Sequence, residues 1–131
     1  MAGDTADIRR QVRDRLRAQR VLVASLLRLR AQLRGSLFTR YGVCGKPACA
    51  CREGRRHGPY YVLSRREAGR GRFDYLQGGK AREARALMTR AQQFRRGMQR
   101  LHQLNADLVR LLRRYQSAAS AQGARRLDAA G

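Results

Sequence analysis

Residues 44–57 read CGKPACACREGRRH, a Cys-x4-Cys-x-Cys-x5-His pattern that holds all three cysteines of the chain and one of its two histidines. Three thiolates and an imidazole are the number and kinds of donor that a closed tetrahedral zinc site uses. Gly45 and Pro47 supply the tight turn between the first two sulfurs, and Gly54 sits in the short loop that returns to His57. Four protein donors leave no open position, so the Zn2+ site expected at Cys44, Cys49, Cys51 and His57 is structural. Two plainer readings stand beside it: reduced thiols next to a capping histidine, or a redox-sensing thiolate. Residues 42–59 carry few apolar side chains, so metal binding is expected to be coupled to the ordering of this segment.

Outward from the cluster, residues 59–76 read PYYVLSRREAGRGRFDYL. A β-rich run (Tyr60–Ser64), a turn cluster (Glu67–Gly71) and a second run (Arg72–Leu76) predict a β-hairpin. Leu37–Tyr41 reads equally as a third short strand or as a continuation of the preceding helix.

Both flanks carry helical periodicity. Ile8, Val12, Leu22, Leu26, Leu29 and Leu33 step by fours and threes, with Arg15 and Gln19 in the two missing places and Gly35 as the stop. Ala84, Leu87, Ala91, Phe94, Met98, Leu101, Asn105, Leu108, Leu112 and Tyr115 form a heptad seam whose one polar member is Asn105. Gly97 lies inside that helix, where glycine costs about 1 kcal/mol relative to alanine.

The expected fold is mainly α with a small β-hairpin. Two long antiparallel helices, a coiled-coil-like stem, flank a zinc-knuckle and hairpin head. Residues 1–34 form the first helix of the stem, 35–79 the head, 80–116 the heptad helix, and 117–131 a flexible tail. Leu101, Asn105, Leu108 and Leu112 are the candidate oligomerisation positions, for a homodimer through the C-terminal helix.

Thirty Lys and Arg against nine Asp and Glu give a formal charge of +21. The excess is spread over the whole chain: +7 over residues 1–40, +5 over 41–79 and +9 over 80–131. Such a field points to a polyanion, with DNA or RNA favoured over an anionic membrane or an acidic protein. Within the head, Arg40, Lys46, Arg52, Arg55, Arg56, Tyr60, Arg65, Arg66, Arg70 and Arg72 are the candidate nucleic-acid contacts. Arginine reaches phosphates and guanine edges, and exposed tyrosines stack on unpaired bases. Tyr61, Phe73 and Tyr75 are expected instead to form a small core beneath the head.

The first ten residues contain acids and no apolar run, which is unlike a secretory signal. The longest apolar stretch, VLVASLL at 21–27, falls far short of the ~20 residues that span a bilayer. A cytoplasmic protein is expected, and there clustered cysteines serve metals more often than disulfides. No phosphate-binding glycine loop or nucleophile motif is present, no small-molecule substrate is indicated, and His102 lies mid-helix, so the chain is not read as an enzyme.

GSLFTRYGVCGKPACAC (35–51) and HGPYYVLS (57–64) together resemble a widespread bacterial and archaeal family of small proteins with a CGKPxCxC…HGPYYYLS pattern followed by a long helix. The likeness extends over about residues 35–115 and implies a shared zinc-bearing head built on Cys44, Cys49, Cys51 and His57; Val62 replaces the third tyrosine. It implies no activity. The resulting expectation is a zinc-stabilised nucleic-acid-binding protein, with DNA the favoured target, in an accessory or regulatory role suited to a mobile element. The competing expectation is a helical protein-interaction adaptor with a structural zinc head.

Overall fold

The computed structural model describes residues 4–130. Residues 1–3, which begin the expected first helix, and Gly131, which ends the expected tail, lie outside the described residues. In chain order the elements are α1 (Thr5–Leu27), β1 (Ser36–Gly42), a short 3-10 turn (Ala50–Glu53), β2 (His57–Glu67), β3 (Arg70–Leu76) and α2 (Gly78–Ala130). The chain is mainly helical, with one small three-stranded antiparallel sheet of order β1-β2-β3. It forms two compact units, one of the N-terminal segment up to Arg30 with Phe94 onward, the other of Ala31–Gln93. No helix among the described residues is long and apolar enough to cross a membrane.

In the first unit α1 runs antiparallel to the distal part of α2. Asp4 caps α1 by accepting from the Ala6 amide. Ile8 is fully buried against Leu111 and Ala118, with Val12 and Tyr115 packed around them. Burying a side chain of this size contributes about 1.5–3 kcal/mol. The gaps in the α1 stripe are met by polar groups of α2. Arg15 pairs with Asp107 at 3.6 Å, and Gln19 donates to Asn105 Oδ1 at 2.6 Å.

Ala84 and Ala91 are buried where the seam was expected, but from Gly97 onward the buried line of α2 is rotated from it. Leu104, Leu111 and Ala118 are buried, continuing at every seventh residue the place held by Gly97, whereas Met98, Asn105 and Leu112 are exposed. Leu101 and Leu108 are half-buried as expected. The displacement has a steric cause: Leu26 occupies the space where residue 97 would carry a Cβ, so the helices approach along the glycine side.

Two boundaries differ from expectation. The first helix stops at Leu27, not at residue 34, and Arg30 takes a left-handed φ of 50°. The following segment is bound by tertiary hydrogen bonds: the Leu33 amide donates to the Leu87 carbonyl at 3.1 Å, and Arg90 donates to the Ala31 carbonyl at 3.5 Å. At the other end, residues 117–130 are not a loose tail but a continuation of α2. Ala118 is buried beside Ile8, and Gln122 donates to Thr5 Oγ1 at 3.4 Å, so packing on the first turns of α1 holds an alanine-rich segment in its preferred conformation.

In the second unit, residues 36–41 are strand. β1 pairs with β2 from Ser36↔Ser64 to Gly42↔His57, with a register shift between Arg40 and Gly42. Gly35 enters this strand where a Cβ would stand 2.7 Å from the Ser64 carbonyl oxygen. β2 pairs with β3 from Tyr61↔Leu76 to Glu67↔Arg70, leaving Ala68 and Gly69 as a two-residue turn. Both have positive φ, 51° and 78°, as in a type I′ turn.

Candidate metal centre

The segment between β1 and β2 carries the cysteines. Because Gly42 pairs with His57, the two strand ends meet at its base, and the sheet itself presents the loop as a closed knuckle. Gly58 shapes the return. It has a φ of 138°, and a Cβ there would stand 2.8 Å from Tyr41 Cδ1 and 2.9 Å from the Arg40 carbonyl oxygen. No other residue type fits this place without strain.

Within the knuckle the Cys49 amide donates to the Lys46 carbonyl at 3.2 Å, closing a turn around Pro47, and Cys49 then caps the 3-10 turn. That turn brings Cys51 inward to 2% exposure, while Gly54, with φ 119°, redirects the chain to His57. Cys44 Sγ lies 3.5 Å from Cys51 Sγ, and Cys49 Sγ lies 3.2 Å from His57 Nε2. The four donor atoms all fall within 4.8 Å of one another. Donors placed ~2.0–2.3 Å from a shared tetrahedral ion stand roughly 3.3–3.8 Å apart, so one ion fits the cluster with little adjustment.

The electrostatics favour a cation. Hydrogen bonds from the Cys51 amide, then from the Cys51, Cys44 and His57 side chains, lower the Cys49 thiol to about 6. Burial pushes the Cys51 thiol up. A cluster that retains one thiolate while its buried neighbour resists ionisation lacks the positive charge that a metal would supply.

The sheet has two chemically distinct faces. Register places Leu37, Tyr61, Leu63, Arg65, Arg72 and Asp74 on one of them. Here the Arg85 guanidinium lies 5.9 Å from the centre of the Tyr61 ring, and Leu63 is buried. Asp74 accepts from Arg65 at 3.2 Å and from Arg72 at 2.9 Å, and Arg72 also reaches Glu67 at 2.5 Å. The Arg72 hydrogen bond is the leading cause that holds both the Asp74 and Glu67 carboxyls below their usual range.

The other face is open. Phe38, Tyr60, Phe73 and Tyr75 are 44%, 45%, 65% and 62% exposed. They surround Val62, which is buried and flanked in register by Phe38 and Tyr75. Arg40 shares this face and donates to Tyr75 Oη at 2.8 Å.

The expected contact residues therefore divide. Arg65 and Arg72 are tied to carboxylates, whereas Arg40, Lys46, Arg52, Arg55, Arg56, Arg66 and Arg70 make no ion pair among the described residues. Phe73 and Tyr75 are not part of a core beneath the head; of that expected trio only Tyr61 is half-buried. Phe38 was not singled out from the sequence. The available signal was the alternation through Phe73-Asp74-Tyr75, which puts both rings on one face once the register is known. His102 is exposed on α2.

A three-cysteine, one-histidine cluster at the end of a small sheet, in an otherwise helical chain, defines a protein with a candidate metal-site head. More narrowly, the chain belongs to the family described as a domain of unknown function (DUF6788), whose model matches residues 6–86 and so includes all four donors. That match starts well before the resemblance drawn from residues 35–115 and ends before the distal half of α2. No curated protein and no solved structure matches the chain.

Proposed function

We propose that the chain is a zinc-stabilised nucleic-acid-binding protein, with DNA the favoured target, that acts in an accessory or regulatory role through its sheet head. Zinc is the ion best suited to three sulfurs and one imidazole in a closed tetrahedron. Its part is mechanical: it fixes the knuckle that joins β1 to β2 and the cationic loop carrying Arg52, Arg55 and Arg56. The observation that carries the reading is the open sheet face, where exposed aromatic rings and Arg40, which makes no ion pair among the described residues, lie near the knuckle in a chain of charge +21.

The test combines metal analysis with binding. Protein purified under reducing conditions is expected to hold one zinc per chain. Its affinity for a labelled oligonucleotide is expected to fall with salt at a log–log slope of roughly −0.9 for each duplex phosphate contacted. Cys49→Ser is expected to lose the metal and most of the binding while circular dichroism still reports α1 and α2. A slope near zero on every nucleic acid tried removes the reading.

The adaptor reading draws on Val109 and Leu112, apolar residues about half exposed on α2. Under it, Leu112→Glu changes the mass measured in solution and leaves oligonucleotide affinity per chain unaltered.

A further inference from the structure

From the arrangement of the open sheet face we infer that the nucleic acid recognised by this head is unpaired, and that its bases stack on Phe38, Tyr60, Phe73 and Tyr75. This deepens the reading above and rests on it.

Three observations carry the inference. First, the rings come from all three strands. Phe38 and Tyr75 flank Val62 in register, Tyr60 lies opposite Arg40, and Phe73 is two residues from Tyr75 along β3. Side chains two apart on a strand stand ~6–7 Å from each other on one face. The array is therefore a plane of separate rings around an aliphatic floor, and it offers successive bases a surface to lie on.

Second, the charges are sorted between the faces. Every sheet carboxylate, Asp74 and Glu67, has its register position on the opposite face, where Arg65 and Arg72 neutralise it. The open face carries Arg40 and Arg66 and no acid. Such a face attracts a phosphate backbone without repelling it anywhere.

Third, the platform continues into a pocket of about 270 Å3 lined by Arg40, Gly42, Val43, Cys44, Tyr60 and Tyr75, at the edge of the knuckle. A base at the end of a strand has a place beside the metal site.

Duplex DNA does not use such a face well. Its bases already stack on each other, and a ribbon in the major groove reads their edges with polar side chains. Among those edges a phenyl ring finds only the thymine methyl, whereas ring-on-base stacking is indifferent to sequence and open to any unpaired base. An RNA or a DNA single strand presents the same chemistry.

The experiment uses the zinc-loaded full chain and three labelled probes: a dT oligonucleotide, the matching rU oligonucleotide, and a mixed-sequence duplex of equal length. Tyrosine emission serves as a second readout, since the chain has no tryptophan. Both single strands are expected to bind more tightly than the duplex and to quench tyrosine emission. Phe73→Leu and Tyr75→Leu are each expected to lower single-strand affinity roughly tenfold, in the range of one lost stack. Both side chains are mostly exposed, so these variants keep the fold. Tyr75→Phe loses only the hydroxyl that accepts from Arg40 and is expected to bind as the parent does. Duplex bound as tightly as the single strands, with the leucine variants unchanged, overturns stacking and leaves nucleic-acid binding standing. No salt-dependent binding to any probe overturns both. A preference between dT and rU names the backbone and supports the inference either way.

Discussion

Leu26 of α1 fills the space directly over Gly97 of α2, where a Cβ at position 97 would overlap Leu26 Cδ2 and stand 3.0 Å from its Cγ. Leu26 is buried, so the leucine has little freedom to withdraw. Gly97→Ala gains about 1 kcal/mol of helix propensity. Overpacking a filled site costs typically 1–3 kcal/mol. The expected net result is a lower melting temperature by circular dichroism. A rise would mean that Leu26 swings aside freely.

The thiols of the candidate metal centre are expected to differ in reactivity. Cys49, lowered to about 6, is predominantly thiolate at neutral pH, whereas burial raises Cys51. In metal-free protein, iodoacetamide should modify Cys49 first, with a rate midpoint near pH 6, and Cys51 last. The sign for stability follows from the lowered value. The contribution of Cys49 to folding is present above the ordinary thiol pKa and is lost as the pH falls through about 6. Peptide mapping of alkylated protein over pH 5–9 checks the order, and equal labelling of the three cysteines would contradict it.

Asp74 ties up two arginines. Asp74→Asn removes the charge that holds Arg65 and Arg72, and Glu67 alone remains to pair with them. The head is expected to lose little stability, because the groups are partly exposed and screened by solvent. Affinity for oligonucleotides and its salt slope should change little, because both arginines lie on the face opposite the aromatic one. A marked rise in affinity with a steeper slope would place these arginines on the contact surface.

Ala68 occupies a left-handed position in the β2–β3 turn at a cost of roughly 1 kcal/mol. Ala68→Asn supplies the residue that two-residue turns of this kind prefer before glycine. It is expected to raise the unfolding midpoint of the zinc-loaded protein by a few degrees, and to leave nucleic-acid affinity within twofold.

The chemistry of the donor set and the sign of the surface were legible in the sequence, because both depend on residue identity alone. Three cysteines and a histidine within fourteen positions have few other uses, and no packing arrangement changes a charge of +21. The alternation of helix, strand pair and helix was readable too, since apolar periodicity reports local conformation. The tertiary structure decided which side of each element meets a partner. Leu104 and Leu111 became the buried line, displacing the equally plausible Asn105 and Leu112, because Gly97 lets α1 approach on that side. The segment at 31–33 is held by hydrogen bonds from residues more than fifty positions away, and the helical tail by Ile8. The aromatic face followed the same rule: Phe73 and Tyr75 were expected in a core, and register across three strands set them instead beside Phe38 on the open face, because a strand's alternation fixes two faces and only its neighbours determine which one is covered.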